Sequence, residues 1–499
     1  MLEVREEDKI AQLQAPPSNL ARTTWRVKFK VGGGYLLAKQ RLGDQFCPDY
    51  LPNTHPNASF NVAMLTAADD TLNMADISKP ISFCEHLQLS SLGVQPASIS
   101  FQVSLMVLLA AEQGLDHTIC DVQTLTLESD HFICVREKVD EQDQIVIIDL
   151  ADANNVLRRP FSADSAIMHP SKKILASKAG RMLQILNIET KQKVKSHANN
   201  EDIVFWKWGS ETTIGMVTET SVYHWSIADQ TSPPQKVFDR HPTLAGAQII
   251  NYRATPDEKW LVLIGLSANT THPSAFKVKG AMQLYSRERG VGQPIEGHAA
   301  SFAELKLDGH QHMTKLFTLR LELPLVSRYV LHVVEIDHTA PDPPFIKKAV
   351  DVYFPPEATN DFPVAMQVSQ KRGIIFLVTK YGFIHLYDLE SGARIYMNRI
   401  SGETIFVTAE HGASHGIIGV NKKGQVLSVG VDEQTIIPYI LTALDNTELA
   451  FKLSSRTNLP GADDLHVKQY QQLFSSGQYG KAAKVAANSP RVRIIRHYQ

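Results

Sequence analysis

The chain has 499 residues, is 43% hydrophobic and 20% charged, and sets 50 basic against 52 acidic residues. That balance is that of a folded, soluble polypeptide too long for one ordinary core; it excludes extensive disorder and a molecule that binds polyanions over its whole surface. Cys47, Cys84, Cys120 and Cys134 form no CxxC pair, which argues against a disulfide framework and a cysteine zinc site, and the longest apolar run, Val103 to Ala111, is well short of the roughly 20 residues that cross a bilayer.

In chain order, residues 1–73 carry no assignable pattern, and the triplet Gly32 to Gly34 lacks the strand or helix context that a phosphate-binding loop requires. Seven later segments then share one pattern, about seven residues of apolar alternation closed by a turn. They are Gln144 to Leu150, Met182 to Ile188, Ser221 to Ile227, Ala281 to Arg287, Val330 to Ile336, Phe383 to Leu389 and Gln425 to Val431. Their starts lie roughly 38 to 60 residues apart, the spacing of four-stranded blades. Further strands are expected at Ile174 to Ser177, Ile214 to Thr218, Trp260 to Gly265 and Ile374 to Thr379, each one short turn before a run. The expected fold is mainly β, a seven-bladed β-propeller; no Trp-Asp dipeptide follows any run, so the blades are not of WD40 type.

After Val431 the period becomes helical. Ile436, Ile437, Ile440, Leu441 and Leu444 share a face, Asn446 offers an N-cap for a second helix, and Pro460-Gly461 ends it. Leu465, Tyr470, Leu473 and Phe474 mark a third helix and Lys481 to Ala487 a fourth, the start of a short α-solenoid. The domain reading is an unassigned extension over 1–73, a propeller over 74–433 with an insert at 103–123, a helical linker over 434–490 and a divergent tail over 491–499.

Met182, Gln184 and Leu186 share one strand face, and Lys191, Lys193 and Lys195 alternate just beyond the next turn. The expected surface is an apolar strip rimmed by positive charge, suited to an extended peptide with spaced apolar side chains and an acidic end. The sequence has no GxSxG elbow, P-loop or HExxH, no carboxylate or histidine cluster stands out in the inner-strand segments, and His310 with His312 reads as a surface loop. A protein without catalytic activity, cofactor or metal is expected.

The runs Ser162 to Pro170, Phe205 to Ser226, Ala349 to Gln367 and His385 to Ala409 closely resemble the clathrin heavy chain, with a nearly continuous match from Met74 to Pro490. The resemblance implies a seven-bladed terminal propeller followed by a zigzag helical linker. It also implies a coat component of the cytoplasmic face of coated pits and vesicles, which meets adaptor and accessory proteins through short peptides, touches membrane only through those adaptors and binds no nucleic acid. Regions for trimerisation and light chains are expected to be absent, so an adaptor-binding fragment unable to assemble is the alternative. For the clathrin-box groove between the first two blades the resemblance names Leu157, Arg159, Phe161, Leu175, Met182, Gln184, Leu186, Lys191 and Lys193. Met182 stands where the family has threonine and Leu186 where it has phenylalanine. A W-box pocket carries over to Phe101, Gln248, Ile250 and Leu266, and a third groove to Trp260, Leu284, Arg289, Gln293 and Ile295. Excising Val103 to Gln123 restores the family pattern, and this insert is expected to loop out of the first blade and obstruct the site at Phe101.

Overall fold

The computed structural model describes residues 24–31, 34–41, 47–49 and 78–487, apart from 96–123, 154, 230, 269–277, 324–327, 359–360, 458 and 461. It forms two units, Met1–Ala75 and Asp76–Gln499. In the first, strands Thr24–Val31, Gly34–Arg41 and Cys47–Asp49 make an antiparallel sheet in which Val31 pairs with Gly34. Gly34 therefore does have a strand context, opening an antiparallel strand rather than a helix, so it does not meet the phosphate-loop pattern.

The second unit contains seven four-stranded antiparallel sheets. The first and last strands of the blades run from Leu125–Leu127 to Val156–Pro160 in blade 1, Ser165–Met168 to Gln192–Ala198 in blade 2 and Phe205–Trp208 to Gln235–Asp239 in blade 3. Blades 4, 5 and 6 run from Gln248–Ala254 to Val291–Glu296, Ala299–Leu305 to Lys348–Asp351 and Pro363–Ser369 to Arg394–Arg399. First strands of neighbouring blades touch one another around the axis. The seven alternating runs fall on the third strands. Radial stacking covers both faces of a blade, which is why the second and third strands of blade 6, Ile374–Thr379 and Phe383–Asp388, are buried at every position. Each aliphatic side chain so covered contributes about 1.5–3 kcal/mol.

Blade 7 joins the two ends of the ring. Its strands Ile405–His411, Gly416–Asn421 and Gln425–Val431 are completed by Ile81–Gln88, with Val431 opposite Ile81 and Gln425 opposite Gln88. Closure removes the free edges that an open stack would present.

Four helices follow: α1 Ile436–Thr442, α2 Thr447–Arg456, α3 Ala462–Ser475 and α4 Tyr479–Ala487. Asn446 caps α2, its side chain accepting from the Leu449 amide at 2.9 Å. Ile436, Ile437 and Ile440 of α1 and Leu449, Ala450 and Leu453 of α2 join Ile395, Ile405, Ile417 and Val429 of blades 6 and 7 in one apolar cluster. The linker therefore starts as part of the propeller core. On α3 the expected apolar face is only partly covered: Leu465 is buried, whereas Phe474 is exposed, stacks on Tyr470 and meets Tyr479 edge-on.

Candidate functional site: grooves between blades

Blade 1 presents its last strand to blade 2, where Leu157 lies opposite Ile147 and Arg159 opposite Ile145. In blade 2, Leu175 lies opposite Leu186, Ser177 opposite Gln184 and Ala179 opposite Met182. Leu157, Phe161 and Leu175 pack in one cluster with Ile145, Ile147 and Met168, so the apolar floor draws on both blades. Leu186, half-buried, lies beside Leu175 at its edge; Met182 and Gln184 continue the same face; Arg159, Lys191 and Lys193 are exposed along the rim. Ile188 also packs on this cluster and was missed in the sequence reading, although it continues the alternation Met182, Gln184, Leu186.

Lys195 does not share that rim. Leu186 pairs with Lys193 but Ile185 pairs with Lys195, so a bulge at Val194 breaks the period and turns Lys195 toward blade 3. There its ammonium donates to the carbonyl oxygens of Ser226 at 2.8 Å and Asp229 at 2.6 Å and lies 5.4 Å from the Trp225 ring centre. This lysine closes the cleft between blades 2 and 3.

Of the four W-box positions, Phe101 lies outside the described residues, as does the 103–123 insert. Gln248 lies opposite Leu266, and Ile250 occupies a bulge between Ile249 and Asn251. Ile250 and Leu266 pack with Val278 and Phe362, but Leu266 is only 1% exposed and so belongs to the core rather than to an accessible surface.

The five residues of the third groove all line one cavity of about 390 Å³ between blades 4 and 5. Leu284 lies opposite Gln293, and Ile295 continues that face. The Arg289 guanidinium lies 5.9 Å from the Trp260 ring centre, within reach of a cation–π contact. The opposite wall, unsuspected from sequence, is Phe317, Leu319, His332 and Val334, with Glu335, Asp337 and Lys347 at its edge.

The two blades beside this cavity are tied by Asp257, which accepts from Lys315 Nζ at 2.6 Å, Thr255 Oγ1 at 2.6 Å and the Lys259 amide at 3.2 Å. Burial pushes its carboxyl up, but these donors together outweigh burial and hold it at about 2, below the ordinary 3.8. Because the folded value is depressed, its contribution is complete above about pH 4 and is lost as pH falls through about 2. Asp257→Asn is expected to flatten the acid side of a stability–pH curve measured by urea unfolding between about pH 5 and about pH 2.5. An unchanged slope would remove Asp257 from that role.

The first strands also assemble charged groups that the sequence did not show as a cluster. Glu128, just after the first strand of blade 1, accepts from the Trp208 amide of blade 3 at 2.9 Å. Arg253 of blade 4 donates to Ser301 Oγ of blade 5 at 3.3 Å and, in blade 6, to Gln367 Oε1 at 3.0 Å and the Met366 carbonyl at 2.7 Å. Burial raises the carboxyls of Glu128 and Glu410 and lowers Lys207 and Arg253, the last to about 10. These contacts tie non-adjacent blades across the axis. Among the described residues no group of three or more histidine, cysteine or acidic side chains is placed to hold a metal; His312 Nδ1 meets Asp342 at 3.1 Å.

The fold defines a class: a seven-bladed propeller with an apolar cluster shared by blades 1 and 2, a cavity between blades 4 and 5, and a helical linker packed on its last two blades. Residues 355–390 and 398–432 match the clathrin propeller repeat, 433–456 the clathrin heavy-chain linker and 458–499 the Clathrin-H-link family. The clathrin heavy chain of Drosophila melanogaster is 56% identical over 415 residues, and clathrin heavy chain 2 of Homo sapiens is 52% identical over 413. The probable clathrin heavy chain of Schizosaccharomyces pombe is 47% identical over 412; each match covers 83% of this chain and 23% of the relative. The chain belongs to the clathrin heavy-chain family and corresponds to its propeller and linker, spanning about a quarter of the length of the curated relatives it matches.

Proposed function

We propose that this chain is the peptide-capturing part of a vesicle-coat component, a binding protein without catalytic activity that works in the cytoplasm. Its principal ligands are extended segments of adaptor and accessory proteins, held in the groove between blades 1 and 2. The observation that carries this reading is the apolar floor of Leu157, Phe161 and Leu175 edged by Leu186, with the exposed cations Arg159, Lys191 and Lys193 on its rim. Apolar peptide side chains gain burial on that floor, and an acidic residue gains register and a faster encounter from the cations. The cavity between blades 4 and 5 supplies a second docking place of the same kind, and the pocket at Ile250 a third. No helix among the described residues is long and apolar enough to cross a membrane. Contact with membrane is assigned to the adaptors on the family resemblance.

A short extended peptide buries little surface, so affinity at the first groove is expected in the range of about 10–100 μM, with useful capture resting on many copies. Titration calorimetry with an apolar-x-apolar-acidic peptide is expected to show that range, and at least about tenfold weaker binding to the double variant Gln184→Ala, Lys193→Glu. Equal binding by both proteins would place the site elsewhere.

A further inference from the structure

We propose that the end of the blade 1–2 groove remote from the lysines is a separate subsite, seated on Met182, for an aromatic side chain of the docked peptide; this rests on the peptide-groove reading above. Met182 is 43% exposed, an unusual state for a methionine on a regular strand. Its neighbours across the sheet are Ala179 on one side and Ala198 on the other, both exposed, so one row across three strands is apolar and open. Alanine side chains are too short to cover the thioether, and they leave a flat floor around it.

The next row toward the lysines is polar, Ser177, Gln184 and Ser196, and beyond it come Leu175 and Leu186. The groove thus has two apolar stations separated by Gln184. A strand rises about 3.3 Å per residue, so Met182 and Leu186 are about 13 Å apart, the reach of four extended peptide residues. Arg181, beside Met182, is turned away to Asp202, with Nε–Oδ1 at 2.8 Å and Nη2–Oδ2 at 3.1 Å, which leaves the station without a committed charge.

The chemistry selects the occupant. A thioether on a flexible stem adapts to irregular partners and makes favourable contacts with ring edges, whereas a β-branched aliphatic gains less on a floor so shallow. Lys191 and Lys193 follow the third strand, while Met182 opens it, so the acidic and aromatic residues of the peptide occupy opposite ends. The peptide class is therefore aromatic, spacer, apolar-x-apolar, acidic.

The test compares two synthetic peptides by calorimetry on the intact chain: the apolar-x-apolar-acidic core, and the same core with a tryptophan about four residues before its last apolar residue. The extended peptide is expected to bind about fivefold more tightly to the native protein, and that ratio is expected to fall to about one in Met182→Thr and to persist in part in Met182→Leu. A ratio near one in the native protein, with the core peptide binding normally, overturns the subsite and leaves the groove intact. A ratio unchanged in Met182→Thr overturns it as well. Failure of the core peptide to bind at all overturns the groove reading and the subsite with it.

Discussion

Replacing Arg456 with methionine is expected to destabilise the protein by about 3–5 kcal/mol. Arg456 ends α2, and its guanidinium meets Asp388 at the end of the third strand of blade 6 and Glu390 Oε2 at 3.4 Å. Asp388 is wholly buried; Ser391 supplies its other oxygen with an amide at 2.8 Å and a hydroxyl at 2.6 Å. Methionine keeps much of the stem volume but leaves that carboxylate without its cation, and an uncompensated buried charge costs far more than a surface pair gains. Lys452, 3.5 Å from Glu390, is half-exposed and cannot replace it. Urea unfolding measures the loss, and the double variant Asp388→Asn, Arg456→Met is expected to recover a substantial part of it. A loss below about 1 kcal/mol in the single variant would mean that the linker is held by its apolar contacts alone.

Trp225→Ala is expected to cost a similar amount, about 3–5 kcal/mol, through a different mechanism. Trp225 is fully buried between blades 2 and 3, packed with Leu183, Ile185, Trp206 and Ile214, and it forms the wall against which Lys195 lies. Truncation leaves a cavity and also uncovers the lysine that closes this cleft. Trp225→Phe separates ring from polar atom: among the described residues the indole Nε1 has no hydrogen-bond partner, so the loss there is expected to stay below about 1.5 kcal/mol. Thermal unfolding of the two variants checks the contrast, and equal losses would assign the effect to the indole N–H rather than to packing.

Short apolar-rich runs of alternating side chains made the third strands legible in the sequence, although radial stacking covers both faces and leaves Phe383–Asp388 buried at every position. Local signals were legible as well. Asn446 lies three residues before the amide it caps, so the start of α2 depends on neighbours in sequence only. The five residues of the third groove were placed by resemblance, and the blades bring them to one cavity, but its far wall comes from the next blade and left no trace in the residues of the first. Leu266 shows the opposite limit: an apolar strand position looks the same in sequence whether it faces a ligand or lies beneath one.

By itself, then, the sequence determined the strand periods and their recurrence, the helical linker and the strip of Met182, Gln184 and Leu186 with the lysines beyond it, since each of these patterns is written in residues close together in the chain. Tertiary structure alone decided the rest. Ile81–Gln88 completes blade 7 because only ring closure brings it beside Gln425–Val431, more than 300 residues away in sequence. Lys195 leaves the groove because pairing with the preceding strand inserts Val194 as a bulge, and a one-residue shift exchanges the two faces of a strand. Glu128, Lys207, Arg253 and Glu410 belong to four blades and become neighbours only around the axis, where shared burial, which no local pattern encodes, shifts the ionisation of all four.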